Sequence, residues 1–441
     1  IGAVQYLWPK LRCPIYATPF TLSVLNSKLA STDFANEVEI NEVPLGARFS
    51  VGPFDLELIS MNHSIPEPSA IALRTPLGTV FHTGDWKFDP NPIVGKPAAK
   101  EALRCIGDEG TLALVCDSTN VFTPGQSASE SSIFDNLNKI IASCSGQVAV
   151  ACFATNVARL KTIARAAAYN DRNVVLAGRS LRRITTAARE NDYLSDCPDF
   201  LSEEDAGYLP DEKTLIICTG SQGEPRAALA RIAENNHPRI QLKFGDTLIF
   251  SSRIIPGNEL AIKELQAKFI RRGIHVITSD NAMIHVSGHP PRGDLTRMYN
   301  YLKPHLSIPV HGKREHLREH AELAHACKVP HVIINENGGI IRIAPGTPAI
   351  TEEFHVGRLA ADGNRVIPID SEIIKSRTRV MWHGFAVITV ILNRGNVENE
   401  MPISTAGLIE DDNDPILEKI RLAVREAINN LKLSAKEPDN Q

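Results

Sequence analysis

Between residues 147 and 278 short strand-like apolar runs alternate with helix-like stretches, without any internal sequence repeat. The runs are 147–152, 173–177, 214–218, 247–251 and 275–278. Strands separated by helices cannot be joined as hairpins, so the pattern predicts βαβ units and a mostly parallel sheet. The rhythm starts near residue 127, where Ser127-Ala-Ser-Glu130 has the Ser-x-x-Glu spacing of a capping box opening a helix.

The flanks read differently. Before this region, 56–61 and 69–82 predict strands, with Thr75-Pro-Leu-Gly78 as a hairpin turn, and 111–116 is a continuous apolar run ending at Asp117. After residue 290 come a strand (305–310), a helix (313–326) and two short strands (329–334 and 339–344). A turn-like texture near 358–365 reads as a linker, followed by a β-rich run at 385–392, a helix near 415–433 and a frayed or truncated tail at 434–441. At 441 residues two or three domains are expected.

Three distant stretches put a metal-type side chain just past an apolar run: Leu58-Ile-Ser-Met-Asn-His63, Val80-Phe-His-Thr-Gly-Asp85 and Ser307-Ile-Pro-Val-His311. Loops at strand ends are where the ligands of a site collect, and two histidines with a carboxylate suit zinc or manganese. Three ligands are too few for two metals. The chain opens at Ile1 without an initiator Met, in mid-pattern, so further ligands are expected upstream.

Composition excludes several classes. The net charge of −4 is no nucleic-acid signature, so an RNA contact would have to be a local basic groove. The eight cysteines form no CxxC pair and several lie inside apolar runs, which predicts reduced thiols in a cytoplasmic protein. No run approaches the roughly 20 apolar residues of a membrane span, and no signal peptide is visible.

Four segments in order, Phe81-His-Thr-Gly-Asp-Trp-Lys-Phe-Asp89, Thr219-Gly-Ser-Gln-Gly-Glu-Pro225, His285-Val-Ser-Gly-His289 and Pro309-Val-His-Gly312, closely resemble the ribonuclease J family. That family belongs to the β-CASP branch of metallo-β-lactamase-fold nucleases. Leu114-Val-Cys-Asp-Ser-Thr-Asn120, Phe153-Ala-Thr-Asn156, Ser251-Ser-Arg-Ile-Ile-Pro-Gly-Asn-Glu259 and Ile334-Asn-Glu-Asn-Gly-Gly339 match as well. The resemblance implies an α/β chain: a metallo-β-lactamase αββα sandwich interrupted by a β-CASP domain, then a small α+β C-terminal domain. In these residues the first metallo-β-lactamase part would be 1–127, the β-CASP domain 128–287, the second metallo-β-lactamase part 288–357, a linker 358–375 and the C-terminal domain 376–441. The family's His-x-His-x-Asp-His motif should directly precede Ile1 and is absent. The chain therefore reads as a piece truncated at the N-terminus, and at the C-terminus as well, lacking N-terminal strands and inactive alone.

The resemblance also implies roles. His63 would ligate one metal, Asp85 would bridge two, and His311 would ligate the other, with two Zn²⁺ per complete site and Mn²⁺ or Mg²⁺ as alternatives. Asp117 would hydrogen-bond a metal-site histidine, and His289 would contact the scissile phosphate as a proton donor. Ser221, His285 and Ser287, on Gly-bearing turns suited to cradling an anion, would line a pocket for an RNA 5′-monophosphate. The expected activity is metal-dependent RNA cleavage, 5′→3′ exonucleolytic and endonucleolytic, by a cytoplasmic homodimer or homotetramer with no membrane contact.

The competing reading is a catalytically silent RNA-binding or oligomerisation unit on the same fold. A small-molecule hydrolase is disfavoured by the β-CASP insertion between Asp117 and His311. His316 and His320, spaced i,i+4, lack HExxH order, on a helix whose charges suggest solvation. His82 is expected to pack behind the site, and Lys-Ser-Arg-Thr-Arg379 to be solvated surface.

Overall fold

The apolar runs of the central region are strands because both of their faces are covered. In the computed structural model, which describes residues 1–363, 365–393, 396–398, 401–411 and 413–434, Val148–Ala151, Asn173–Ala177, Thr214–Cys218, Thr247–Phe250 and His275–Ile277 pair in parallel. Alternate residues of one strand enter opposite cores: Val148 and Val150 join one, Ala149 and Ala151 the other. A strand buried on both faces has no position for a polar side chain, hence the unbroken apolar runs. Across the sheet the order is His275–Ile277, Thr247–Phe250, Val148–Ala151, Thr214–Cys218 and Asn173–Ala177. The connections after Val148–Ala151 and Thr247–Phe250 therefore leave in opposite directions, which makes a topological switch point between these neighbours.

A seven-stranded mixed sheet brackets this insertion. Its order is His331–Val332, Leu306–Val310, Thr111–Asp117, Gly78–His82, Ser69–Thr75, Phe54–Ser60 and Arg48–Val51. The antiparallel meander Arg48–His82 occupies one side; Thr111–Asp117 runs parallel to both Gly78–His82 and Leu306–Val310. One face packs Ala70, Ala72, Phe81 and Leu114 against Leu103 and Ile106 of helix Lys100–Glu109 and Leu295, Met298 and Leu302 of helix Arg292–Leu302. The other carries a smaller cluster around Ala113, Leu306 and Ile308, partly covered by Ile341 and Ile343. This is the mixed α/β architecture of a metallo-β-lactamase-type domain with an inserted parallel domain. The described cysteines are all unpaired thiols, and no described helix is long and apolar enough to cross a membrane.

Two compact units result, Ile1–His355 and Val356–Gln441. In the second, Leu359–Asp362 and Arg365–Pro368 form a hairpin, helix Glu372–His383 follows, Phe385–Ile388 pairs with Ile403–Ala406, and helix Pro415–Ser434 closes the described part. Residues 358–375, expected as a linker, thus hold a hairpin and the start of a helix. Asp362-Gly363 supplies the left-handed residue that a tight hairpin turn needs. The basic run 375–379 lies on the exposed helix, with Arg377 paired to Asp362 and Arg379 to Glu372. Of the expected frayed tail, 435–441 lie outside the described residues.

The expected capping box is a second correction. Ser129, not Ser127, caps the turn Glu130–Ile133, accepting from the Ser131 N–H. The Glu130 carboxylate does not reach back to its own helix start; it is buried against the Arg159 guanidinium. A charge-assisted pair in a water-free site outweighs a local cap.

Helix Lys100–Glu109 approaches helix Arg292–Leu302 so closely that a Cβ on Gly107 would lie 1.9 Å from the Tyr301 carbonyl oxygen. Alanine would favour the helix intrinsically by about 1 kcal/mol, but the clash is with backbone and cannot be relieved by a rotamer. Gly107→Ala should therefore destabilise the Ile1–His355 unit, by about 2 kcal/mol, read from urea denaturation. A stabilised variant would show that the two helices are further apart than described.

Candidate metal and phosphate site

Three parallel strands lie side by side, so their carboxyl ends open at the same edge. Val310 is in register with Asp117, and His82 with Val115. Asp85, Asp117 and His311, far apart in sequence, thereby become neighbours. Strand Phe54–Ser60, two antiparallel steps from Gly78–His82, ends at the same edge and delivers His63. His289 arrives from the insertion, just before helix Arg292–Leu302.

Two backbone features make the approach possible. Gly84 adopts φ +60° in the turn that presents Asp85, and His311 itself sits at φ +58°, a conformation that a side chain other than glycine adopts at a cost. Gly288 lies so near His63 that a Cβ there would be 2.6 Å from its Nδ1.

Asp85, Asp117, His289 and His311 each offer a ligand atom, all within 4.8 Å of one another. The Asp85 carboxylate stands between two histidines: Oδ2 is 3.8 Å from His63 Nε2, and Oδ1 is 3.8 Å from His311 Nε2. Every histidine is held by its other nitrogen. His63 Nδ1 donates to the Gly288 carbonyl at 2.8 Å, His311 Nδ1 to Thr119 Oγ1 at 2.6 Å, and His289 Nδ1 to Asp117 Oδ2 at 2.7 Å. All three Nε2 atoms are thus left as the basic ones, the arrangement typical of metal-ligating histidines. Two ligands about 2.0–2.1 Å from a tetrahedral zinc stand roughly 3.3 Å apart, so 3.8 Å separations fit a metal with small adjustments. Imidazole nitrogens with carboxylates are the donor set of zinc or manganese.

The electrostatics follow from burial. Desolvation pushes the Asp117 carboxyl up, but hydrogen bonds from His289 and His311, the charge of His289 and the Thr119 hydroxyl outweigh it and hold the group well below the usual carboxylate range. The Asp117 hydrogen bond raises the pKa of His311 against a smaller burial effect, with Asp85 adding to the rise. Burial lowers that of His63, with His289 nearby adding to it, against the Gly288 carbonyl.

A second group borders this cluster. Asn120 Nδ2 donates to Ser287 Oγ at 2.7 Å and to the His289 carbonyl at 3.0 Å, while its Oδ1 accepts from Arg253. The His289 N–H also donates to Ser287 Oγ, at 3.2 Å. Gln222 binds the Arg253 carbonyl and the Ile255 N–H, both at 2.9 Å. His285 is mostly buried, and burial plus the charges of Arg159, Arg253 and Lys87 push its pKa down to about 3. Ser221 is buried in the turn after Thr214–Cys218, and among the described residues its hydroxyl shares no hydrogen bond with His285, Ser287 or His289. The 153–156, 219–225 and 251–259 segments all leave carboxyl ends of parallel strands, where α/β sheets bind ligands.

The structure brings His63, Asp85, Asp117, His289 and His311 together, with Ser287 alongside. Sequence reasoning gave no role to Thr119, Asn120, Arg253 or Arg159, and gave Glu130 only that of a helix cap. Thr119 and Asn120 follow Asp117 directly in a quoted motif, and an arginine at an apolar helix position marks Arg159. His82 corrects an expectation: it is exposed, and its Nδ1 accepts from the Gly84 N–H at 3.0 Å, because on this strand its position faces away from the core. His320 is buried between Ser118 Oγ, 2.8 Å away, and Tyr299 Oη, 2.9 Å away, whereas His316 lies against Phe122. Both ring nitrogens of His320 are thus occupied.

Comparison with known proteins gives a consistent result. Residues 145–269 match the family described as "Ribonuclease J, beta-CASP domain", and 273–334 the "Zn-dependent metallo-hydrolase RNA specificity domain". The chain is 42% identical to a ribonuclease J of Sinorhizobium meliloti, over 94% of this chain and 73% of that protein. It is 36% identical to one of Mycolicibacterium smegmatis (95% and 76%) and 33% identical to one of Thermus thermophilus (98% and 76%). A crystal structure of an Enterococcus faecalis protein of unknown function superposes with a TM-score of 0.52 at 16% identity, covering 77% of this chain and 76% of that one, a likeness of fold alone.

His311 must lose its proton before Nε2 can hold a metal. Its pKa is raised above the ordinary imidazole value, so protons compete more strongly than at a free histidine, and apparent metal affinity should fall as pH drops from about 8 to 6. Zinc and manganese titrations by calorimetry test this. An affinity independent of pH across that range would remove His311 from the ligand set.

Proposed function

Because this chain belongs to the ribonuclease J family, a family of metallo-hydrolase ribonucleases, we propose that the His63–Asp85–His311 cluster is the metal part of an RNA phosphodiester-hydrolysing site. The observation that carries the reading is the Asp85 carboxylate, with one oxygen towards each histidine at 3.8 Å. His63 and His311, with the Asp85 carboxylate between them, would hold the metal. Zinc is the expected ion, with manganese or magnesium as alternatives. Two such ions would neutralise the phosphate oxygens and lower the pKa of the attacking water.

The remaining residues orient and move protons. Asp117 is kept ionised by its bonds from His289 and His311. Its Oδ2, at 2.7 Å from His289 Nδ1, orients the ring so that Nε2 faces the site, where His289 would pass a proton to the leaving oxygen. Asn120 fixes Ser287 and the His289 carbonyl, so the 285–289 loop keeps one geometry. Ser221, His285 and Ser287 bind the 5′-monophosphate of single-stranded RNA, and that anchor sets the register for 5′→3′ removal of nucleotides. Internal cleavage does without the anchor. The same reading places the protein in the cytoplasm as a homodimer or homotetramer.

The assigned ligands are two histidines and one carboxylate, whereas each zinc ordinarily takes three or four protein ligands. The chain alone is therefore expected to hold metal weakly and to cleave slowly. RNA cleavage with added zinc or manganese, with metal content measured in parallel, tests the reading. Asp85→Ala should abolish any cleavage and leave the circular dichroism spectrum unchanged. Cleavage undiminished in the variant would refute the bridging role, and RNA binding without cleavage at saturating metal would favour a silent binding unit.

The phosphate pocket can be read without turnover. 5′-Monophosphorylated oligoribonucleotides should bind more tightly than their 5′-hydroxyl counterparts. Ser221→Ala and His285→Ala should each reduce that preference by about tenfold, the worth of one hydrogen bond to a charged group. Equal affinity for both ends in the unaltered chain would show that the pocket does not read the terminus.

A further inference from the structure

The Arg159 guanidinium is wholly buried, in the first turn of helix Val157–Tyr169 beside the switch point of the five-stranded sheet. Its Nε and Nη2 face the Glu130 carboxylate, with Nη2 at 3.0 Å. Its Nη1 donates to Ser251 O at 2.8 Å, Ser251 Oγ at 2.7 Å and Ile284 O at 3.2 Å, and lies 3.4 Å from His285 Nδ1. Ser251 Oγ donates its own proton to Ile284 O at 2.6 Å, so towards the arginine it acts as acceptor.

We infer that Arg159 is a positioning residue that fixes His285 as the tautomer carrying its proton on Nε2, so that His285 meets a phosphate as a neutral hydrogen-bond donor. A guanidinium has five N–H donors and no acceptor. A proton on His285 Nδ1 would set N–H against N–H, so Nδ1 faces Arg159 with its lone pair and the ring proton sits on Nε2. Water cannot substitute for the arginine, because Arg159 and Ser251 are both sealed from solvent. Arg253 and Lys87 add positive charge around the same ring, which disfavours a second proton.

The arginine is held from behind. Glu130 is anchored through its N–H to Asp89 Oδ2 at 3.0 Å, Asp89 pairs with the buried Lys87 at 3.0 Å, and Lys87 Nζ donates to the Ala128 carbonyl at 3.1 Å. The loop that carries Asp85 thus continues into the network that sets the tautomer of His285. The inference deepens the proposed phosphate pocket and rests on that reading for what His285 donates to; the tautomer stands on geometry alone.

The test is long-range ¹H–¹⁵N correlation NMR of the full chain with ¹⁵N-histidine, His285 being assigned by its loss in His285→Gln. At pH 7 the expected result is a protonated Nε2 and an unprotonated Nδ1. A proton on Nδ1, or on both nitrogens, overturns the inference. In the double variant Arg159→Met, Glu130→Gln, which removes both charges together, His285 should become a mixture of tautomers while the buried His320 signal stays put. An unchanged tautomer in that folded variant also overturns it. The spectrum of the unaltered chain decides even where the variant fails to fold. Adding a 5′-monophosphorylated dinucleotide should then shift the Nε2 signal without changing the protonation pattern. No shift would defeat the phosphate pocket and leave the role of Arg159 as tautomer anchor standing.

Discussion

The Asp117 carboxylate is 1% exposed at the end of the strand that joins the two halves of the seven-stranded sheet. A buried carboxylate is costly unless its lone pairs are used. Oδ1 accepts from the Thr119 N–H at 2.9 Å and the Thr119 hydroxyl at 2.6 Å, and Oδ2 takes the His289 Nδ1–H. Thr119, having donated to Asp117, has only lone pairs for His311, whose Nδ1–H it accepts at 2.6 Å. One carboxylate thus dictates the proton positions of two imidazoles, directly and through a hydroxyl. His63 obeys the same rule with a backbone carbonyl in place of the carboxylate. The directionality of the cluster, with every Nδ1 turned outward and every Nε2 inward, is a consequence of hydrogen-bond arithmetic before any metal is considered.

That arithmetic works only because two sheets deliver their loops to one place. Asp85, Asp117 and His311 come from adjacent parallel strands, while His285, Ser287 and His289 return from the insertion. Asn120 joins the two sources, bonding Ser287 and the His289 carbonyl with its amide and Arg253 with its oxygen. Gly288 lets the returning loop touch His63. The centre is therefore sensitive to the placement of the insertion as a whole, and a shift of about 1 Å there would separate donors from acceptors.

Much of this was legible in the sequence because burial on two faces leaves a local mark. The central strands show as unbroken apolar runs, and the ligand candidates as the polar residues that follow such runs. Neighbourhood left no local mark. Nothing in 78–82, 111–117 and 306–310 says that these strands are adjacent, since Val80 pairs with Ala113 across 33 residues and Leu306 with Ala113 across 193; family resemblance supplies that link. Glu130 was misread because its local spacing fits a cap, while its actual partner, Arg159, lies 29 residues away. His82 was misplaced because alternation along its strand, not proximity to Asp85, decides which way it points. The 358–375 stretch reads as a linker because Asp-Gly is equally a loop signal and a hairpin signal, and pairing between Leu359–Asp362 and Arg365–Pro368 decides between them.

The Glu130–Arg159 pair raises the question of why charges are kept in so dry a place. Removing two ions from water costs several kcal/mol each, and a well-packed apolar pair of similar volume is often as stable or more so. Stability is thus a poor reason for this pair. Its geometry offers a better one. An apolar replacement could fill the volume between helix Val157–Tyr169 and the Ser251 turn, but it could not donate to Ser251, Ile284 and His285 at once. Ser251 O and His285 Nδ1 would lose that donor, at roughly 1–3 kcal/mol for a buried acceptor left without a partner, and the Ile284 carbonyl would keep only the Ser251 hydroxyl. Glu130 in turn neutralises a guanidinium that could not otherwise remain buried, and it is located by Asp89 and Lys87 from the Asp85 loop. The charges persist because donors in a planar fork define direction, which apolar packing cannot, and direction is what the 285–289 loop needs to face a phosphate.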